Sequence, residues 1–480
     1  MNLGPPLAYE SLKTVLKHLN ANSRIRLSTH YPSIRSAEKV VPLKINKLEF
    51  TDQSFRVDNM EYKVGIYKKY PEGKCPPSVE ERNEDGGWRV DSDQHGFEDW
   101  PSRLTLRPGD VDLRGPWERD REYREVGKNQ IKEKEKELPE LEKRLDYVES
   151  LGPIKPHFDL SYKESNIDII FGYFMERRLT TESTSHFKVR KEFEHARARA
   201  YKELKDKVLD TKTILQQWYA RRDGLPVPFE TYIMFTIRND KTEEKKEIEF
   251  VKYEKSLFES LNYLMHKIFE NRRYPVAVKL LNTDAEILRL TPGLRMQIEE
   301  MEIAGEADRA FAGMEPYIEG SSYPLKKLKI SVYDDPAVFQ HPKLRSANHL
   351  VIVAAGDDIE WLSYFLKLEN HKVHLINEGE EEIISVPDFM RLIKRWISSE
   401  KEEGASFSYS LDAFDDLEMD DYHKKVFKRI KKTFKKSTSG RRYAKIPTDN
   451  DTMLKVSVEP SGEEEYPWNI VMQILPMEDM

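Results

Sequence analysis

The sequence predicts a mixed α/β protein: a small helical unit at the N-terminus, a charged helical arm in the middle and an α/β domain in the C-terminal half. Three observations predict it. Leu12, Val15, Leu16 and Leu19 recur at the i, i+3, i+4, i+7 spacing of one helical face near the start. A densely charged stretch after Lys128 keeps a heptad-like apolar seam. From Thr231 onward, strand-like alternation and helix-period segments take turns, the pattern of an α/β unit.

A chain of 480 residues exceeds one small core, and roughly 100 to 200 residues per domain implies two to four units. The net charge is −7 with 34% charged residues of both signs interspersed, so no global field selects nucleic acid or a membrane. Cys75 is the only cysteine, which excludes an internal disulfide and a zinc finger or ribbon and fits a reducing compartment. The opening MNLGPPLAYE lacks a charged region followed by an apolar run, and no stretch approaches the ~20 apolar residues that span a bilayer. The expectation is a chain neither secreted nor membrane-spanning, acting in the cytoplasm or nucleus.

Residues 1–41 read as three short helices. The first carries Leu12 to Leu19, Asn20 and Asn22 break it, a second carries Ile25 and Leu27, and Ser33 is placed to cap a third. Residues 42–116 begin with alternation at Leu48 and Phe50, Phe55 and Val57, and Tyr62, Val64 and Ile66, which predicts half-buried strands. They continue as Gly/Pro/Asp-rich loops with one strand expected at Leu104 and Leu106. Residues 117–225 form the arm. Its first helix has a seam of Ile131, Leu138, Leu141, Leu145 and Val148, with Pro139 starting or kinking the better half. Its second runs from Val189 to Trp218, and the two fit a helical hairpin or, as a short coiled coil, a partner chain. Residues 226–412 follow as strand (TYIMFTI), helix (Leu257, Leu261, Leu264, Ile268) and strand.

In this last segment a motif apolar-x-x-apolar-x-apolar recurs at Ile298/Met301/Ile303, Leu325/Leu328/Ile330 and Ala347/Leu350/Ile352. It returns with a polar first position at Asn370/Val373/Leu375, and a partial copy stands at Val278 and Leu281. Starts 27, 22 and 23 residues apart fall in the window of about 20 to 29 residues for leucine-rich repeats, whose units stack into a solenoid. An ordinary α+β domain with evenly spaced strands fits the same spacing, and the asparagine ladder usual in such repeats is absent.

No glycine-rich phosphate loop, G-x-S-x-G or H-E-x-x-H occurs, so neither an enzyme nor a cofactor site is expected. DSDQHG at Asp91–Gly96 imitates half a calcium loop but has Ser102 at the twelfth position. His371 and His374 lie three apart in a strand-like run, a spacing that points them to opposite faces, and neither reads as a metal ligand. Residues 413–480 read as an acidic-basic segment followed by C-terminal strands: an acidic run that begins at Asp412 and ends at Asp421 precedes Lys424, Lys425, Lys428, Arg429, Lys431, Lys432, Lys435, Lys436, Arg441 and Arg442. Val426, Phe427, Ile430 and Phe434 share the opposite face, giving an amphipathic helix with a cationic back. A solvated surface, a nuclear import signal, a phosphate-binding surface and a membrane-surface helix all fit it, and the second class of function open to the chain is a nucleic-acid or nuclear factor.

PPLAYESLKTVLKHLNANSRIRLSTHYPSIRSAEK resembles an F-box, with a Pro/Leu entry at Pro6 and Leu7, a first helix with Leu12, Val15, Leu16 and Leu19, and a basic-apolar second helix from Arg24 to Leu27. It has Pro-Leu where the pattern has Leu-Pro, and no tryptophan near its end. With PSIRSAEKVVPLKI, YKVGIY, LTLRPGDVDLR, SLFESLNYLMHKIF followed by RRYPVAVKLL, and PDFMRLIKRWI, most of the chain resembles the nematode-expanded F-box-like and F-box-associated proteins, whose roles are largely unassigned. The resemblance implies a substrate adaptor that docks on a Skp-type linker of a cullin-based ubiquitin ligase, with an unknown protein as substrate. Pro6, Leu7, Leu12, Val15, Leu16, Leu19 and Leu27 would form the docking face. Packing of the same leucines inside the protein is the competing expectation.

Overall fold

The computed structural model describes residues 8–115, 128–152, 171, 191–242, 245–332, 336–354, 360–378, 384–399, 401–411, 416–448, 451–461 and 467–477. The fold is mixed α+β: helices at the N-terminus, then a large mixed sheet with helices packed on it.

Helix α1 spans Tyr9–His18, α2 Ala21–His30 and α3 Arg35–Lys39. Asn20 starts α2 by accepting from Ser23 N at 2.8 Å, while Asn22 lies inside that helix instead of breaking it. Its side chain is engaged elsewhere, donating to Val57 O and accepting from the Tyr62 hydroxyl. Ser33 caps nothing: a 3-10 turn over Pro32–Ile34 leads into α3.

The strands are β1 (Lys44–Phe50), β2 (Ser54–Val57), β3 (Met60–Lys69), β4 (Asp110–Asp112), β5 (Glu230–Asn239), β6 (Lys245–Lys252), β7 (Val276–Thr283), β8 (Ile287–Arg289) and β9 (Met296–Ile303). They continue as β10 (Lys327–Val332), β11 (His349–Ala354), β12 (Lys372–Asn377), β13 (Ser406–Leu411), β14 (Thr438–Ser439), β15 (Tyr443–Pro447), β16 (Thr452–Pro460) and β17 (Trp468–Pro476). One sheet takes the order β14-β15-β16-β17-β13-β12-β11-β10-β9-β7-β1-β2-β3-β5-β6, and β4 pairs only with β8. From β1 through β13 that sheet is parallel, and antiparallel strands extend it at both ends.

The copies of the sequence motif lie on adjacent parallel strands in register. Leu281, Met301, Leu328, Leu350 and Val373 form one apolar column, and Ile303, Ile330, Ile352 and Leu375 the next. Asn370 is tolerated at the first motif position because its buried amide donates to Leu344 O at 2.8 Å and Ala347 O at 2.7 Å. Beyond the last copy the sheet runs on through β13 into the β15–β17 meander, so the repeat occupies only its middle.

The strand expected at Leu104 and Leu106 is absent. Trp100–Leu104 is a short helix, because Asp99 accepts from Ser102 N at its start and Pro101 fits the first turn; Leu106 is exposed. The arm's helices, Lys128–Ser150 with Pro139 inside it and Lys191–Asp223, pack antiparallel. Lys212 pairs with Glu142 at 2.7 Å, and Tyr219 donates to Glu135 at 2.8 Å. Leu141 and Val148 meet Ala196, Ala200, Leu204 and Val208, whose small alanines let the helices approach, so the seam closes within the chain. Val189 lies outside the described residues.

Candidate functional site

The N-terminal helices are anchored unequally. Ala21 and Ile25 of α2 belong to the main core, whereas, among the described residues, Leu16 of α1 packs with Ala37 and Val41 in a small separate cluster rimmed by Leu12 and Leu19. Leu16 is fully buried there; Leu12, Leu19 and Leu27 are half-buried, and Val15 and Tyr9 are exposed at 44% and 52%. Pro6 and Leu7 lie outside the described residues. The sequence-derived docking face is thus divided, with Leu16 facing inward and Val15 outward.

Beneath these helices, α3 is bound to the rest of the chain by buried charge. Glu38 takes Arg272 bidentately at 2.9 and 3.0 Å and Arg24 at 2.9 Å. Arg24 also donates to the carbonyls of Pro42 and Val41, and Lys39 to those of Lys267 and Ile268 at the end of the Leu257–Phe269 helix. Beside this junction, α2, β3, β5, β6 and that helix enclose a cleft of about 760 Å³ lined by Ile25, Tyr62, Phe235, Glu247 and Tyr263. Arg26 pairs with Glu247 across it at 2.9 Å.

A second surface comes from the parallel strands. Their return helices pack on one face, where Phe311, Leu344, Trp361, Phe365, Phe389 and Leu392 share the main core with the motif columns. On the opposite face Val351, Val353 and Ile376 form a buried cluster of their own that no helix residue joins among the described residues. Across that face the register aligns Asn282, Glu302, Lys329, Val351, His374, Ser408 and Val471 in one row. His374 carries the hydrogen bonds of this row. Ser410 gives its hydroxyl proton to Asn469 Oδ1 at 2.7 Å, so toward His374 Nε2, 3.2 Å away, it accepts. Nε2 then carries the ring proton, and Nδ1 accepts from Ser408 Oγ at 2.6 Å.

Burial, followed by His349, Lys327 and Lys329 on the same face, pushes His374 down to about 4, so the ring is neutral near pH 7. Among the described residues no carboxylate bonds to this network. The network holds a fixed neutral imidazole and hydroxyls beside lysines; His374, Ser408 and Lys329 are half-buried, and Val351, Val353, Ile376 and Ser410 on the same face are buried. An unfolded histidine titrates near 6.5, so between about 6.5 and 4 the unfolded chain binds more protons, and stability falls as pH is lowered through that window. Thermal unfolding of the protein and of His374→Gln from pH 4 to 7 should show that part of the slope only where the histidine is present. A ring proton titrating near 6.5 by NMR would disprove the buried neutral state.

This face was missed at the sequence level, although a signal existed. Parallel strands covered on both faces read as continuous apolar runs, whereas KLKISV, KVHLIN and SFSYSL alternate polar and apolar.

The basic residues fall on the Asp416–Thr433 helix and the segment after it, and Lys424, Lys425, Lys428, Arg429, Lys431, Lys432, Lys435, Lys436, Arg441 and Arg442 are all exposed. Val426 and Ile430 are buried, with Phe427 and Phe434 packed on the same core. Arg442 stacks over Trp468 at 4.6 Å. The side chains of the acidic run lie outside the described residues. Asp91 is engaged by the Tyr253 hydroxyl and Leu257 N, and Asp93 by the amides of His95 and Phe97. Among the described residues no three His, Cys, Asp or Glu side chains group as metal ligands, and no helix is long and apolar enough to cross a membrane.

Residues 256–413, about a third of the chain, match a domain of unknown function, DUF3557. The match begins at Ser256, whose hydroxyl caps the Leu257–Phe269 helix in a capping box with Glu259, and ends just past β13. It therefore takes in the strands that carry the motif and most of the row that includes His374. No curated protein and no solved structure matches the chain.

Proposed function

We propose that this chain is a protein-interaction scaffold, an F-box-like substrate-recognition adaptor of a cullin-type ubiquitin ligase acting in the cytoplasm or nucleus. Helices α1–α3 dock on a Skp-type linker, and the sheet face that carries His374 holds a protein substrate. The observation that carries this reading is the uneven anchoring of the N-terminal unit. α1 stays outside the main core with Tyr9 and Val15 exposed, while α3 is tied to the DUF3557-matched segment through Glu38 and Arg272. A docked linker would then hold the substrate surface at a set position.

The experiment is affinity capture at native salt, with Tyr9→Asp/Val15→Asp beside the unaltered protein. Both side chains are exposed, so the double variant keeps its unfolding temperature. It is expected to lose the Skp-type linker by on the order of 30-fold or more, the effect of losing a hot spot of about 2 kcal/mol. Recovery of neither linker nor cullin by the unaltered protein would end the adaptor reading.

A further inference from the structure

Lys428, Arg429, Lys431 and Lys432 project from one exposed surface, and among the described residues no carboxylate pairs with them. Nineteen residues from Lys424 to Arg442 hold ten cations and no acid, in a chain whose net charge is −7. The neighbouring Val386–Ile397 helix packs beside this one and adds exposed Lys394 and Arg395. Such a local excess of one sign attracts a polyanion whatever the net charge of the molecule.

The helix geometry narrows the class. At about 100° per residue, Lys428 and Lys431 lie in one row along the helix, and Arg429 and Lys432 in a second roughly 100° around it. Two parallel lines of charge match a partner with two lines of phosphates. A bilayer is disfavoured, because an interfacial helix must insert its apolar face and here Val426 and Ile430 are buried in the core. A stacking platform for single strands is missing from this helix, since Tyr422, Phe427 and Phe434 all turn inward. We propose that the cationic face of residues 424–442 binds the phosphate backbone of double-stranded nucleic acid, a contact that positions the chain without reading sequence. The proposal stands independently of the adaptor reading.

Fluorescence anisotropy of the full chain with a 20-bp DNA duplex and an RNA duplex of the same sequence tests it and distinguishes the two sources of phosphate. With about four phosphates neutralised, the slope of log K against log salt is about −3.6, so affinity falls about 150-fold between 50 and 200 mM salt. Changing Lys428, Arg429, Lys431 and Lys432 together to glutamine should abolish binding and flatten the slope while the unfolding temperature holds. Exchanging the same lysines for arginine and the arginine for lysine should preserve both. No binding of either duplex at 50 mM salt, unchanged affinity in the glutamine variant, or displacement by poly-glutamate at equal charge concentration overturns the proposal; the last outcome assigns the surface to acidic protein segments.

Discussion

Replacing Glu38 with alanine is expected to destabilise the attachment of the N-terminal helices by about 3–5 kcal/mol, the cost of stranding buried charge. The Glu38 side chain is 1% exposed and those of Arg24 and Arg272 are 3% and 5% exposed, so both guanidiniums would remain in a dry site without their counter-ion. Their hydrogen bonds to the carbonyls of Pro42, Val41 and Ile268 keep them from swinging out to water. Glu38→Gln retains acceptor capacity but loses the charge, and should fall between the two. Limited proteolysis and urea unfolding are the measurements; an alanine variant within 1 kcal/mol of the unaltered protein would show the cluster to be dispensable. Lys39 belongs to the same junction. Burial and then Arg272 lower it from 10.5 to about 8, so between those values the unfolded chain binds more protons and this group makes stability rise with pH.

Leu16→Asp is expected to detach α1 while leaving the sheet folded. Leu16 is fully buried, but among the described residues its cluster contains only Ala37 and Val41, with Leu12 and Leu19 at the rim, and is separate from the main core. A carboxylate there has no cationic partner in the cluster, and an unpaired buried charge costs several kcal/mol, more than so small a core recovers. Hydrogen exchange should show the amides of α1 and α3 losing protection while those of β7 to β13 keep theirs. Loss of protection throughout the sheet would mean that α1 is integral to the core. Loss of a docking partner by this variant reports unfolding, whereas the same loss in Tyr9→Asp/Val15→Asp reports contact.

Much of the local structure was legible in the sequence. The period of Leu12 to Leu19, the alternation at Leu48 to Ile66, the helix from Leu257 to Ile268 and the recurring motif at 298–375 all predicted elements that form. The helix over Trp100–Leu104 was hidden because Leu104 and Leu106 alternate, while the decisive signals, Asp99 as cap and Pro101 in the first turn, lie just upstream. His374 lies in β12 and His371 just before it; the hydroxyls that bond His374, Ser408 and Ser410, come from β13, and Asn469, which fixes Ser410, comes from β17, 95 residues from His374 in number and adjacent only through the sheet.

By itself, the sequence determined most of the strongly periodic elements, among them the helix from Leu257 to Ile268 and the strands from Leu48 to Ile66, the in-step recurrence of the motif strands and the dense charge of residues 424–442. Only the tertiary structure decided that Leu16 turns inward and Val15 outward, that the arm's seam closes within the chain, and that Val351, Val353 and Ile376 form a cluster apart from the main core. The reason is physical. Periodicity records that a side chain is to be buried or hydrated, a property of each element alone, whereas what buries it depends on pairing between distant strands and helices, whose energy is shared by residues that no local pattern connects.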